Sequence, residues 1–274
     1  MIKQAIIPLA GLGTRLLPLT SVFPKELLPI NGKPGLEYII DECIEAGIKE
    51  FIFIISKKKV SIKKYFYNDI FFKKIIKKKK KDKRILAEYH KIKKYKKMIK
   101  FVFQNSPRGT GDAILKCKNL IKDKYFLILL PDDLIINKNC TKEMINMHKK
   151  TKSSIIATKV VKKSSVSRWG ILSIKNKLKN SFQIVDVIEK PNIKKAPSNY
   201  AIIGRYILPK TIMTEIKNLK PGQGGEIHIT DAIRNLIHKK EKFYGNIFKG
   251  KYLDCGTLKG FINSGIEISK LNKL

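Results

Sequence analysis

KQAIIPLAGLGTR, residues 3–15, sets the reading of the whole chain. Lys3 to Leu9 is an apolar run short enough for a buried strand, and Ala10-Gly11-Leu12-Gly13-Thr14-Arg15 follows it as a glycine loop. In open α/β sheets the loop after the first strand is where ligands bind, because glycines let backbone N–H groups approach a phosphate closely. The third glycine of a dinucleotide fingerprint is missing, as is the Gly-Lys-Ser/Thr of an ATPase loop, but Arg15 stands where a guanidinium could clamp phosphate oxygens. Taken alone, the loop reads equally as a tight structural turn.

Working outward, Pro18, Pro24 and Pro29 forbid a long helix and predict an extended segment after the loop. Leu36, Ile39, Ile40, Cys43 and Ile44 fall on one helical face between Pro34 and Gly47, and Glu50 to Ile55 supplies a second strand, which predicts a parallel pair. Ile62 to Lys97 reads as one or two lysine-rich surface helices, with Lys77 to Lys81 as a solvated face. Strands at Lys100–Gln104 and Tyr125–Leu130 flank a helix over Thr110–Leu120. Beyond them come a helix near Lys142–Lys150, then strands at Ser154–Val161, Gly170–Ile174, Phe182–Glu189 and Tyr200–Leu208. Helices near Pro209–Asn218 and Ile229–Lys239, a strand at Phe243–Phe248 and a helix from Thr257 close the pattern. The alternation predicts an α/β fold, a Rossmann-like, mostly parallel sheet flanked by helices. With 274 residues and no long flexible linker, it is read as one domain.

Composition removes several classes. The apolar runs are far shorter than the roughly 20 residues that span a bilayer, and the first residues lack a secretory signal, so the expectation is a cytoplasmic protein without membrane attachment. Cys43, Cys117, Cys140 and Cys255 are scattered, which indicates neither zinc nor disulfides. A net charge of +36 raises nucleic acid as a partner. Lysine carries nearly all of it, however, and dedicated phosphate and base recognition favours arginine's planar fork. No specific nucleic-acid function is expected.

Phe23-Pro24-Lys25-Glu26-Leu27-Leu28-Pro29 then sharpens the glycine loop: two prolines stiffen a segment holding one lysine and one glutamate. The combined string AGLGTRLLP…PKELLP resembles the sugar-nucleotide pyrophosphorylases, a family of nucleotidyltransferases, in their bacterial uridylyl-transferring branch. The likeness runs over essentially the whole chain through LPDD (130–133), EKP (189–191), PSN…GRY (197–206), GGEIHITDAI (224–233) and YLDCG (252–256).

That resemblance implies a sugar-binding extension on the sheet, with residues 1–135 mainly the nucleotide-binding half of the domain and 136–274 mainly the sugar-phosphate-binding half and C-terminal helix. It also implies transfer of a uridylyl group from UTP to glucose-1-phosphate, aided by Mg2+, in a homodimer or homotetramer. Carried over position by position, it implies that Ala10, Gly11, Gly13, Thr14, Arg15 and Lys25 hold the triphosphate. Gln104 and the backbone of Gly109 would meet the uracil, Asp132 and Asp254 would ligate the metal, and Gly170, Glu189, Lys190 and Gly204 would take the sugar phosphate. Arg15, Lys25 and Lys190 are the catalytic candidates. Where the family often carries leucine or alanine and then histidine, this chain reads Gly109-Thr110-Gly111-Asp112, an extra acid beside the expected base site. Asp133 reads more simply as a loop-orienting residue, Glu226 and Asp231 as helix-capping groups, and Trp169 as a wall of the sugar pocket. Another nucleotide or hexose phosphate, or a catalytically silent regulatory relative, remains the alternative.

Overall fold

Residues 2–79 and 82–271 are described by the computed structural model. The apolar runs that read as buried strands become the centre of one sheet. Gln4–Pro8 (β1) pairs in parallel with Glu50–Ile55 (β4) on one side and Tyr125–Leu129 (β6) on the other, and Ile99–Phe103 (β5) extends the edge beyond β4. Both faces of these strands are covered, which is why they carry continuous apolar runs instead of alternating ones. Ala5, Ile7, Phe51, Phe53 and Ile55 pack on one side against Gly35–Glu45 (α1), Val60–Tyr67 (α2), Lys83–Met98 (α4) and Cys140–Thr151 (α6). Their neighbours Ile6, Ile52, Ile54, Phe126 and Ile128 pack on the other against Thr110–Leu115 (α5), Ile212–Asn218 (α7) and Ile229–His238 (α8).

Beyond β6 the sheet continues through Tyr200–Pro209 (β11), Ser154–Val160 (β8), Phe243–Ile247 (β12), Ser181–Glu189 (β10) and Gly170–Lys175 (β9), giving the order β5-β4-β1-β6-β11-β8-β12-β10-β9. β10 and β11 run against the other seven strands, so the sheet is mostly parallel in direction although many of its neighbouring pairs are antiparallel. β9 also touches β11, at Ala201 and Ile171, folding the far edge back toward the centre.

The sequence reading missed four short strands. Pro29–Ile30 (β2) and Lys33–Pro34 (β3) form a small hairpin inside the segment expected to be extended, which also contains three 3-10 turns. Asp133–Ile136 (β7) and Lys251–Asp254 (β13) form a separate antiparallel pair in which Asp254 sits opposite Asp133. The lysine-rich stretch holds three helices instead of one or two. A break at Asn68 separates α2 from Asp69–Lys78 (α3), and Asp82 caps α4 by accepting from the backbone N–H of Ile85 at 3.1 Å. Lys77 and Lys78 are exposed at the end of α3, as a solvated face requires, while Lys80 and Lys81 of that run lie outside the described residues. The helix expected over 110–120 stops at Leu115 and resumes as a 3-10 turn at Lys118–Leu120. The closing helix is Leu258–Leu271 (α9).

Candidate active site

At the carboxyl ends of β1 and β6 lies a cleft of about 370 Å³. The loop after β1 contributes Gly11, Arg15 and Lys25, and the loop after β6 contributes Leu130 to Asp133. Trp169, Gly170, Glu189, Lys190, Gly204 and Asp254 complete the set of expected residues on its walls. A Cβ on Gly11 would meet nothing within 4 Å, so packing gives no reason for glycine there, whereas a ligand brought against the backbone does. Gly13 is glycine for another reason: its φ of +71° starts the 3-10 turn Thr14–Leu16, from which Arg15 reaches out with its side chain 56% exposed.

Lys25 Nζ donates to Asp132 Oδ2 at 2.7 Å, and Arg15 Nη2 approaches the same oxygen at 3.2 Å. Burial opposes the charge on Lys25, but Asp132 and then Glu26 outweigh it and hold the ammonium above the ordinary lysine range. Burial likewise opposes ionisation of Asp132, yet Lys25 and Arg15 keep its carboxyl below the ordinary range. Asp133 behaves oppositely. Burial, and then the charge of Asp132, push it up to about 7, although it accepts a hydrogen bond from Tyr252 Oη at 2.6 Å. Asp132 is thus held in its charged form by two cations at contact distance, whereas Asp133 beside it meets that charge and only the longer-range pull of Arg205.

On β13, beside Asp133, Asp254 accepts from the Gly256 N–H at 2.9 Å and pairs with Arg168 Nη2 at 3.3 Å. Glu189 accepts from Thr230 Oγ1 at 2.9 Å and stands 3.8 Å from Lys190 Nζ. The Lys190 head remains about half exposed and its backbone takes a positive φ of 43°, a turn that sets it apart from the strand. Trp169 lies edge-on to Tyr252, with Arg168 over its ring. Gly170 admits the Glu189–Thr230 pair: a Cβ would lie 3.2 Å from both Glu189 Oε2 and Thr230 Cγ2. At Gly204 a Cβ would fall 2.2 Å from Asp133 Oδ2 and 2.8 Å from Leu130 Cβ, so the space it keeps clear belongs to the acidic loop.

Ala10, Gly13, Thr14, Gln104 and Gly109, also expected at the site, are not among the residues that line the cleft. Gln104 is buried and its amide donates to Asp112 Oδ2 at 2.8 Å and to the Gly109 carbonyl at 3.3 Å. Asp112, the acid that departs from the expected pattern, therefore sits behind Gln104 and fixes which way its amide faces. Gly109, at φ +99°, and Gly111 let residues 108–111 seat against Ile227, through Ile227 N to Arg108 O and Gly111 N to Ile227 O, both at 2.8 Å. Arg168, Thr230, His228, Tyr206 and Tyr252 also line the cleft without having been singled out, and so does Glu226, read as a cap. Four of these five lay inside the recognised strings; Arg168 had only its place beside Trp169 to suggest it.

A doubly wound sheet with two groups of cations facing one cleft at its strand ends defines an enzyme handling phosphate-bearing nucleotides. The model of the nucleotidyl transferase family matches residues 4–270, and the chain belongs to that family. It is 36% identical over 275 residues to the UTP–glucose-1-phosphate uridylyltransferase of Bacillus subtilis, covering 99% of this chain and 92% of that one. It is 36% identical over 270 residues to the enzyme of the same name from Mycoplasma pneumoniae, covering 97% and 91%. Among solved structures, a UDP-glucose pyrophosphorylase complexed with UDP-glucose superposes with a TM-score of 0.87 at 36% identity, covering 98% of this chain and 99% of that one. The UTP-bound UGPase of Acinetobacter baumannii gives 0.88 at 31% identity, covering 98% and 94%.

Proposed function

We propose that the protein transfers the uridylyl group of UTP to glucose-1-phosphate, releasing pyrophosphate and forming UDP-glucose. The observation that carries this reading is the meeting, in one cleft, of Arg15 and Lys25 from the loop after β1 with Arg168 and Lys190 from the later part of the chain. Such a site suits two phosphate-bearing substrates brought together. The triphosphate lies along the glycine loop, where Arg15 and Lys25 neutralise the departing pyrophosphate. Gln104 and the Gly109 backbone face the uracil. Glu189, held by Thr230, accepts hydrogen bonds from sugar hydroxyls, and Lys190 holds the sugar phosphate. The phosphate monoester, with a second pKa of about 6, is already mostly dianionic at neutral pH, so its oxygen attacks the α-phosphorus in line and no general base is needed. That agrees with a cleft built of cations and carboxylates.

Magnesium fits the donor set. Asp132 and Asp254 both line the cleft, each balanced by cations, while Asp133 is tied to Tyr252, and among the described residues no cluster of three or more metal-ligating side chains occurs. Magnesium favours one or two carboxylates completed by phosphate oxygens and water, and when bound it would supply further neutralisation of phosphate charge. The helix α9 exposes Leu258, Ile262 and Ile266 at four-residue spacing, an apolar stripe that supports a homo-oligomer. Four buried free cysteines suit the cytoplasm, and no helix among the described residues is long and apolar enough to cross a membrane.

Pyrophosphate release from purified protein, given UTP, glucose-1-phosphate and magnesium, tests the reading, with Asp132→Ala and Lys190→Ala alongside. Rapid release that collapses in both variants is expected. A preference for dTTP over UTP would overturn the choice of nucleotide, and no release with any nucleotide would overturn the activity.

A further inference from the structure

Glu26 and Lys59 form a buried ion pair that the proposed chemistry leaves unused. Lys59 Nζ donates to both carboxylate oxygens of Glu26, at 2.8 and 2.9 Å, and the two side chains are 9% and 1% exposed. A buried pair adds little to stability over a well-packed apolar pair of the same size, so its effect on neighbouring charges is the more informative property. Glu26 follows Lys25 in the single 3-10 turn Lys25–Leu27, which sends Lys25 to the cleft and Glu26 back to the start of α2, where Lys59 ends another 3-10 turn. Glu26 also acts electrostatically on Lys25, as Lys25 and Asp132 act on Lys59. Two carboxylates thus act on one ammonium, Asp132 by direct contact and Glu26 through its charge.

We infer that Lys59 is a positioning residue. By engaging both oxygens of Glu26 it withdraws that carboxylate from Lys25, and so leaves Lys25 Nζ directed at Asp132 and at the phosphates of the bound nucleotide. Without Lys59, Glu26 would be a buried anion that already attracts the charge of Lys25, its neighbour in the chain, and Lys25 would be drawn from the cleft. The inference rests on the reading of Lys25 as a phosphate ligand, and it names the lysine-rich segment before α2 as part of the nucleotide site.

The test uses the full chain and four variants: Lys59→Met, Lys59→Arg, Glu26→Gln and the double Glu26→Gln/Lys59→Met. Two readouts are taken, steady-state KM for each substrate and calorimetric binding of inorganic triphosphate, which needs only the cations of the cleft and so separates failure of this inference from failure of the proposed activity. Lys59→Met is expected to raise the KM for UTP and the Kd for triphosphate about tenfold, the worth of one charge-assisted hydrogen bond, and to leave the KM for glucose-1-phosphate unchanged. Lys59→Arg and Glu26→Gln should stay within about threefold of the wild type, and the double variant should return to that range because no competing carboxylate is left. A merely structural pair would lower the melting temperature of the single variants without this split. Triphosphate binding in Lys59→Met within about threefold of the wild type, equal rises in both KM values, or a double variant as weak as Lys59→Met would each overturn the inference. If Lys59→Met does not fold, Glu26→Gln and the double variant carry the decision: a tenfold loss of triphosphate binding in either refutes the competition between Glu26 and Asp132.

Discussion

Replacing Arg205 by methionine should cost more stability than any exposed substitution in this protein. Arg205 is fully buried, donates from Nη2 to Glu42 Oε2 at 3.0 Å and from Nη1 to the Leu130 carbonyl at 3.2 Å. Glu42 is itself buried on α1, and its other oxygen accepts from the Thr141 N–H at 3.1 Å and from Thr141 Oγ1 at 2.7 Å at the start of α6. One guanidinium therefore ties β11 to α1, and through Glu42 to α6, directly beneath the acidic loop. Its removal leaves a buried carboxylate with two neutral donors and no cation, a change worth about 3–5 kcal/mol. Because Arg205 Nε has no hydrogen-bond partner among the described residues, the substitution also removes one unsatisfied donor, and the lower end, about 3 kcal/mol, is the expectation. For a chain of this size that is a fall in melting temperature of roughly 6–12 °C. Urea unfolding followed by circular dichroism gives the free energy directly, and an unchanged slope with denaturant shows that the compared states are alike. The double variant Arg205→Met/Glu42→Leu removes both charges and should recover most of the loss. A single variant within 1 kcal/mol of the wild type, or a double variant less stable than the single, would refute the account.

Gly204→Ala would push a methyl into Asp133 and Leu130, so the acidic loop must shift; turnover should fall at least tenfold, measured as kcat/KM, with a smaller change in melting temperature. Asp133, raised to about 7 by burial and then by Asp132, keeps its proton in the folded state where the unfolded chain, with a pKa of about 3.9, has lost it. Stability from this group therefore falls as pH rises from about 4 to 7, and Asp133→Asn should melt higher than the wild type at pH 8, with the gain gone below pH 4. Replacing Leu258, Ile262 and Ile266 on α9 by serine should leave folding intact and shift the protein to its monomer in sedimentation experiments, if the exposed stripe is where copies meet.

What the sequence disclosed was local. The apolar runs of β1, β4 and β6 and the glycine loop between residues 10 and 14 carry their own periodicity and turn chemistry, so they were readable without the rest of the molecule. The motif strings located Arg15, Lys25, Asp132, Glu189, Lys190 and Asp254, all of which the folded chain brings to one cleft. Pairings made across long sequence separations were not readable. Arg168 meets Asp254 and Arg205 meets Glu42 only once the layers assemble. Gly109 reads as a backbone contact for the base and Gly111 falls inside an expected helix, whereas the close approach that needs both comes from Ile227, far along the chain. The four-residue strands β7 and β13 have too little pattern to be seen alone, and the break between α2 and α3 falls at Asn68, where no proline or glycine marks it.

The short ladder between β7 and β13 has a consequence for the birth of the protein. Its hydrogen bond from Tyr252 to Asp133 joins positions 119 residues apart, and Asp254 closes the same ladder. At roughly 5–20 residues per second, a ribosome needs about 6–24 s after making one half of the acidic site to make the other. During that interval the carboxylate pair is incomplete, and so is the seat of residues 108–111, which rests on Ile227. Polypeptides abandoned before Tyr252 would lack Asp254 and the β13 side of the cleft.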